Sequence, residues 1–295
     1  MRQLLILLWC LLAACAWAEP NFYYERAQVK TLLNQGAPAS HIDLVFVGDG
    51  YTANQSADLE KDARDALDSL WQYPLFKDYK QYFNAHLVTV PSIQEGTRLW
   101  YAFGSTNGSQ GMVLVPKETE LQQVARRAPD CDVVIVLTTA MGRAHSANIV
   151  VLPGRTFAPL PHELGHKIGK LGDEYDSLSS LGDRRSLDFG GGDIPYPNLT
   201  LAANVKGSAK DDIKKLKWGH FVDVPGAYPM VGAIQGGFYQ AVGVFRPTYS
   251  CIMRGDNAPF CPVCHEEMVK AIFSKCGVRF DDAAYHRRHP ISQWR

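Results

Sequence analysis

The sequence predicts an α/β fold built on a largely parallel sheet. Three observations carry that prediction. The first half of the 295-residue chain alternates strand and helix signals. Its strands are short, continuous apolar runs bounded by turn residues, and its helices are apolar on one face only. Finally, 46% of the residues are hydrophobic, ample for a substantial core.

The elements follow in order. "IDLVFVGDG" (42–50) is a buried strand ending in an Asp-Gly turn, where Asp49 reads as a turn residue. Residues 56–71 place Leu59, Ala63, Ala66, Leu67 and Leu70 on one helical face. Residues 84–92 form a strand, 118–128 an amphipathic helix and 131–139 another buried strand. Residues 147–154 read as an edge strand. This order implies parallel pairing with covering helices. Residues 177–250 are rich in Gly, Pro and aromatics and read as shaped loops. A last helix, 264–275, ends at Gly277, and the basic tail "YHRRHPISQWR" reads as a solvated C-terminus.

The N-terminus carries Arg2, an apolar run and the small-x-small site Ala16-Trp17-Ala18, the pattern of an export signal over residues 1–18. A second reading, less favoured, takes Leu12-Ala13-Ala14-Cys15 as a lipoprotein box with Cys15 lipidated. The expected locale is therefore periplasmic or secreted, with membrane attachment only through Cys15. Residues 19–295 are expected to form one domain, with a sheet part (40–160) and a loop-rich part (177–276). A short pro-segment within 19–40 stays open. Zero formal net charge argues against nucleic acid as a partner.

The chemistry concentrates in "PHELGHKIGKLGDEYD" (161–176). On a helix, His162 and His166 share a face and can hold one ion, while Glu163 reaches a water on it as general base. Pro161 places His162 in the first helical turn, at the positive end of the dipole, which favours neutral imidazoles. Catalytic zinc normally takes three protein ligands. Gly169 and Gly172 can turn the chain back, making Asp173 the favoured third ligand, with Glu174 as alternative and Asp176 a weaker one. Tyr175, Tyr249 and Arg254 are candidates to stabilise an oxyanion. His220 and His265 are reserve ligands.

"HELGHKIGKLGDEY" resembles the IgA peptidase family of zinc metallopeptidases, in the metzincin clan. So do "IDLVFVGDGYTA" with "YPLFKDYKQYFNAHLVTVPS", then "KWGHFVDVPGAY", and "FRPTYSCIMRGDNAPFCPVCHEEM", in that order over about residues 40–275. The resemblance implies a metzincin-like fold: a twisted mixed sheet, an active-site helix and a methionine turn at Met253. It implies one catalytic Zn2+ on His162, His166 and Asp173, Glu163 as the catalytic glutamate, and a protein or peptide substrate. The IgA of the family's name is not carried over. A non-catalytic zinc-stabilised binding protein and an envelope hydrolase of peptidoglycan peptides are the rival functions.

Export makes disulfides the expected state of the late cysteines. Cys251–Cys261 with Cys264–Cys276 is one of three pairings. A structural zinc on Cys261, Cys264 and His265 is the less favoured alternative, and a redox role for this CxxC weaker still. Cys131 reads as a buried thiol.

Overall fold

The computed structural model describes residues 25–95, 97–108, 111–176, 186–255 and 257–294. The export segment, with Cys15, lies outside them. No helix among the described residues is long and apolar enough to cross a membrane.

Six strands make the central sheet: β1 Gln28–Leu33, β2 Ile42–Asp49, β3 Phe83–Thr89, β4 Val133–Thr138, β5 His145–Ser146 and β6 Val150–Pro153. Their spatial order is β1-β3-β2-β4-β6-β5. The inner four pair in parallel, and both edge strands are antiparallel. The α/β expectation holds, and the sheet is mixed, as the resemblance implies; the parallel pairing read from the strand–helix order is confined to the inner four strands. One strand is placed differently. The strand at 150–153 is internal, because the two-residue β5 forms the edge beyond it.

Side chains of β2 alternate between two cores. Ile42, Leu44 and Phe46 face the core that also holds Leu59, Ala63, Ala66, Leu67 and Leu70 of α1, Ser56–Gln72. Val45 and Val47 face the other core, with Leu121, Val124 and Ala125 of α2, Glu118–Ala125. A fully buried leucine contributes about 2 kcal/mol. The surface pair Arg64–Glu60 on α1 contributes about 0.3–0.5 kcal/mol. Packing therefore fixes α1.

At the end of β2, Gly50 has φ +87°, and a Cβ there would meet the Thr139 hydroxyl at 2.1 Å. Asp49 is fully buried and accepts hydrogen bonds from Phe103 N (3.0 Å), Ser105 N (3.0 Å) and Ser105 Oγ (2.6 Å). Burial still pushes its carboxyl above the usual range. It anchors the 103–105 loop, more than the local turn expected.

Two segments, one read as shaped loops and one as a solvated tail, are built into the fold. Residues 186–255 contain a second sheet of β7 Thr200–Leu201, β8 Ile234–Gly237 and β9 Gln240–Arg246, in the order β7-β9-β8. The C-terminal tail packs rather than waving in solvent. After α4, Pro262–Lys275, comes α5, Asp282–Arg288. Tyr285 and His289 are buried there; Tyr285 OH meets His265 Nδ1 at 2.9 Å, and His289 Nε2 meets Tyr79 OH at 2.8 Å.

Asp49→Ala leaves three donors without their acceptor and is expected to lower stability by about 2–3 kcal/mol. A urea unfolding curve reads this as a lower midpoint. An unchanged midpoint would remove Asp49 from the fold's support.

Candidate active site

The site is built on α3, Leu160–Lys167, which lies on the α1 face of the sheet. Pro159 caps it and Pro161 sits in its first turn. Proline there removes an N–H that lacks an intrahelical partner, so the prolines start the helix instead of breaking it.

His162 and His166 bring their Nε2 atoms to 3.1 Å from one another. Asp173 Oδ1 lies 3.2 Å from each. Both rings are held from behind. Nδ1 of His162 is 2.9 Å from the Ile252 carbonyl, and Nδ1 of His166 is 2.7 Å from the Leu171 carbonyl. A carbonyl only accepts, so in the neutral rings Nδ1 carries the proton and the Nε2 lone pair faces inward. Burial opposes charge on Asp173, but the two imidazoles outweigh it and hold the carboxyl well below the usual range. Burial likewise opposes the His166 cation, yet Asp173 outweighs it and holds that ring's pKa above 6.5.

The segment 173–175 runs like a short strand between two supports. Glu174 N donates to the Met253 carbonyl on one side (2.8 Å). On the other, Phe238 N and Tyr239 N donate to the carbonyls of Asp173 (2.8 Å) and Tyr175 (2.9 Å). Alternation along an extended chain then sends Asp173 and Tyr175 one way and Glu174 the other. Asp173 reaches the histidines, and the Tyr175 ring lies tilted beside His162, 5.8 Å between centroids. Glu174 does not reach the histidines. Its fully buried carboxylate accepts from Asn198 Nδ2 (2.9 Å) and Cys264 Sγ (3.2 Å) instead.

The glycines act differently from expectation. Lys170 takes the left-handed turn, at φ 52°. Gly169 and Gly172 are needed for close packing: added Cβ atoms would lie 2.6 Å from Met268 Sδ and from Leu199 Cδ1. Asn198 fastens Gly172 through both its N–H and its carbonyl.

Met253 is fully buried beneath α3, and a Cβ on Gly165 would meet its sulfur at 2.6 Å. Glu163 lies between two cavities of about 730 and 790 Å³, and ligand-type atoms of His162, Glu163 and His166 all fall within 4.8 Å of one another. Of the three oxyanion candidates, Tyr175 borders both cavities. Tyr249 is 73% exposed and lines a different hollow, and Arg254 pairs with Asp176 at 3.1 Å. Asp176 is thereby also removed from the ligand set. His220 pairs with Glu266 at 2.8 Å, and His265 is buried against Tyr285 with its pKa pushed down to about 3 by desolvation.

Sequence reading missed Tyr239. Its hydroxyl donates to Asp173 Oδ2 from the β8–β9 turn, where Phe238 and Tyr239 both have positive φ. Only the "GGFYQ" turn pattern marks the place.

No disulfide joins the described cysteines. The expected Cys251–Cys261 and Cys264–Cys276 bridges are absent: Cys251, Cys261 and Cys264 cluster around Glu174, while the Cys276 thiol faces the Tyr82 carbonyl. Cys131 is only partly buried, enough for burial to push its thiol up to about 12.

The sequence matches the family described as IgA Peptidase M64 over residues 30–227 and 223–272. The chain belongs to that family. As an M64 peptidase it is a hydrolase of protein or peptide substrates, and its family is one of metallopeptidases. The histidine pair, Asp173, Tyr239 and Met253 all lie inside the matched ranges. No curated protein matches the sequence.

Gly165→Ala gains about 1 kcal/mol of helix propensity. It also drives a methyl into a buried sulfur, with Phe260 3.1 Å away on the same side, at about 1–3 kcal/mol. The expected net effect is a loss of stability despite the better helix former. Denaturant titration showing stabilisation would refute the tight Met253 contact.

Proposed function

We propose that the chain is an exported, zinc-dependent endopeptidase, with His162, His166 and Asp173 as metal ligands and Glu163 as general base. The observation that carries this is the convergence of two Nε2 atoms and one carboxylate oxygen at 3.1–3.2 Å from one another. A tetrahedral zinc with N and O ligands at about 2.0–2.1 Å has ligand–ligand edges of about 3.3–3.4 Å, so the donor set fits the ion. The N-terminal apolar segment supports export, and the mass of the mature N-terminus separates cleavage after Ala18 from lipidation on Cys15.

Zinc held there supplies Lewis acidity and brings the pKa of water toward ~7. The protein's part is orientation and proton transfer. Glu163, one helical position after His162 and at the junction of the two cavities, takes the proton of the attacking water and returns it to the leaving nitrogen. Edge strand β5 contributes His145 and Ser146 to one cavity, a place where an extended peptide can align by strand addition. Met253 forms the apolar floor of a metzincin-like methionine turn. Tyr239 fixes the second oxygen of Asp173, leaving Oδ1 for the metal. A purely structural zinc has no use for a carboxylate base at the mouth of a cleft, which sets the non-catalytic reading aside.

Chelation is expected to abolish hydrolysis of an unfolded protein such as casein, with zinc restoring it. Glu163→Gln is expected to keep one catalytic metal and lose about 10²–10⁴ in kcat. Near-wild-type turnover in that variant would sink the mechanism. Tyr239→Phe is expected to weaken zinc binding by about 10–100-fold, read by competition with a chromophoric chelator. Zinc must displace a proton from His166, whose pKa is raised by Asp173. Apparent zinc affinity at the histidine site therefore falls as pH is lowered, with the decline already under way above pH 6.5. A decline setting in only below pH 6.5 would contradict the Asp173–His166 coupling.

A further inference from the structure

Behind the histidine site lies a second set of donors that the proposed reaction does not use. Glu174, Cys251, Cys261 and Cys264 are all fully or almost fully buried, and a ligand atom from each lies within 4.8 Å of all the others. They come from three separate stretches of chain: the residue after Asp173, the residue before the Met253 turn, and the first turn of α4. Nothing in the local sequence of one stretch requires the others. The fold gathers them.

We propose that Glu174, Cys251, Cys261 and Cys264 form a second, structural metal site that takes Zn2+ or a similar thiophilic divalent cation. Tetrahedral zinc with thiolates at about 2.3 Å has sulfur–sulfur edges of about 3.8 Å, which fits inside the observed span. Thiolate donors select zinc over hard cations. Two of the sulfurs already accept backbone hydrogen bonds. Cys251 Sγ accepts the Cys261 N–H at 3.3 Å, and Cys261 Sγ accepts the Cys264 N–H at 3.5 Å. The N-terminus of the 14-residue α4 points its positive end at the cluster.

An independent observation comes from Glu174. Its Oε1 is occupied by Asn198 and Cys264. Its Oε2 is buried with no hydrogen-bond partner among the described residues. A buried carboxylate oxygen without a partner is costly, and a cation at the center of this cluster satisfies it. With the Cys276 thiol facing the Tyr82 carbonyl, the three clustered cysteines cannot all pair among themselves in disulfides. His265, the third donor of the less favoured zinc alternative read from the sequence, is turned away toward Tyr285, and Cys251 and Glu174 stand with Cys261 and Cys264 instead.

The ion's role is positional. It ties Glu174, and so its neighbour Asp173, to the Met253 turn and to α4. The second site thus braces the third ligand of the first without touching substrate. Metal binding here releases thiol protons and adds its free energy to folding.

The experiment uses the full-length protein, purified with zinc. Native mass spectrometry and elemental analysis are expected to find two zinc ions per chain. X-ray absorption at the zinc edge is expected to show sulfur scatterers at about 2.3 Å. The histidine site has no sulfur donor, so this signal needs no variant. His162→Ala/His166→Ala is expected to keep one ion and, after cobalt exchange, to show thiolate-to-cobalt charge-transfer absorption. Glu174→Gln, which keeps the side chain's shape, is expected to lose that remaining ion during dialysis against chelator. One zinc per chain with no sulfur scattering would overturn the proposal and leave the peptidase mechanism standing. A disulfide among Cys251, Cys261 and Cys264, found by peptide mapping, would overturn it as well.

Discussion

The Glu174 N–H donates to the Met253 carbonyl at 2.8 Å, and most of the site's geometry hangs from this bond. It holds residues 173–175 extended against the turn that floors the histidine helix. On the opposite side the β8–β9 turn supplies two more backbone bonds to the same three residues. Each such bond is worth only about 1 kcal/mol net. Together they fix the parity of the segment, and parity decides everything that follows. A slip of one residue would turn Asp173 away from the histidines and send Glu174 toward them.

The central sheet provides the rigid reference for this arrangement. β2 is buried along its whole length, with α1 and α3 on one face and α2 on the other. The active helix is therefore anchored by Leu160 and Leu164 in the main core, while its histidines look outward to the cleft. Membership of the M64 peptidases places this architecture in a known chemical class. The distances show how this chain's own residues arrange the donors.

Much of this was legible in the sequence wherever burial leaves a periodic trace. β2, α1 and β4 could be read because packing forces apolar runs or a one-sided stripe. β1 could not, because it is an exposed edge strand whose pattern carries no apolar alternation; its place is set by pairing with β3. β5 is only two residues long and leaves no pattern at all. The histidine pair was legible because its spacing is local, and Asp173 because it follows within a few residues. Tyr239 acts across 66 positions, and no spacing rule reaches that far. The cysteines were visible as a group, but their carboxylate companion, Glu174, stood in the histidine motif, where it was read only as the alternative to Asp173. The tail misled because its charged residues conceal Tyr285 and His289, which face inward.

The two imidazoles take their orientation from the Ile252 and Leu171 carbonyls, both supplied by the chain itself. This has a consequence for the order of events in maturation. The polypeptide can close with its rings already aimed by its own carbonyls, so on the proposed reading an ion would enter a cradle whose donors are oriented without it. Under the proposed function, exchange of that ion would require no unfolding, and catalytic competence would become a reversible occupancy set by the supply of metal.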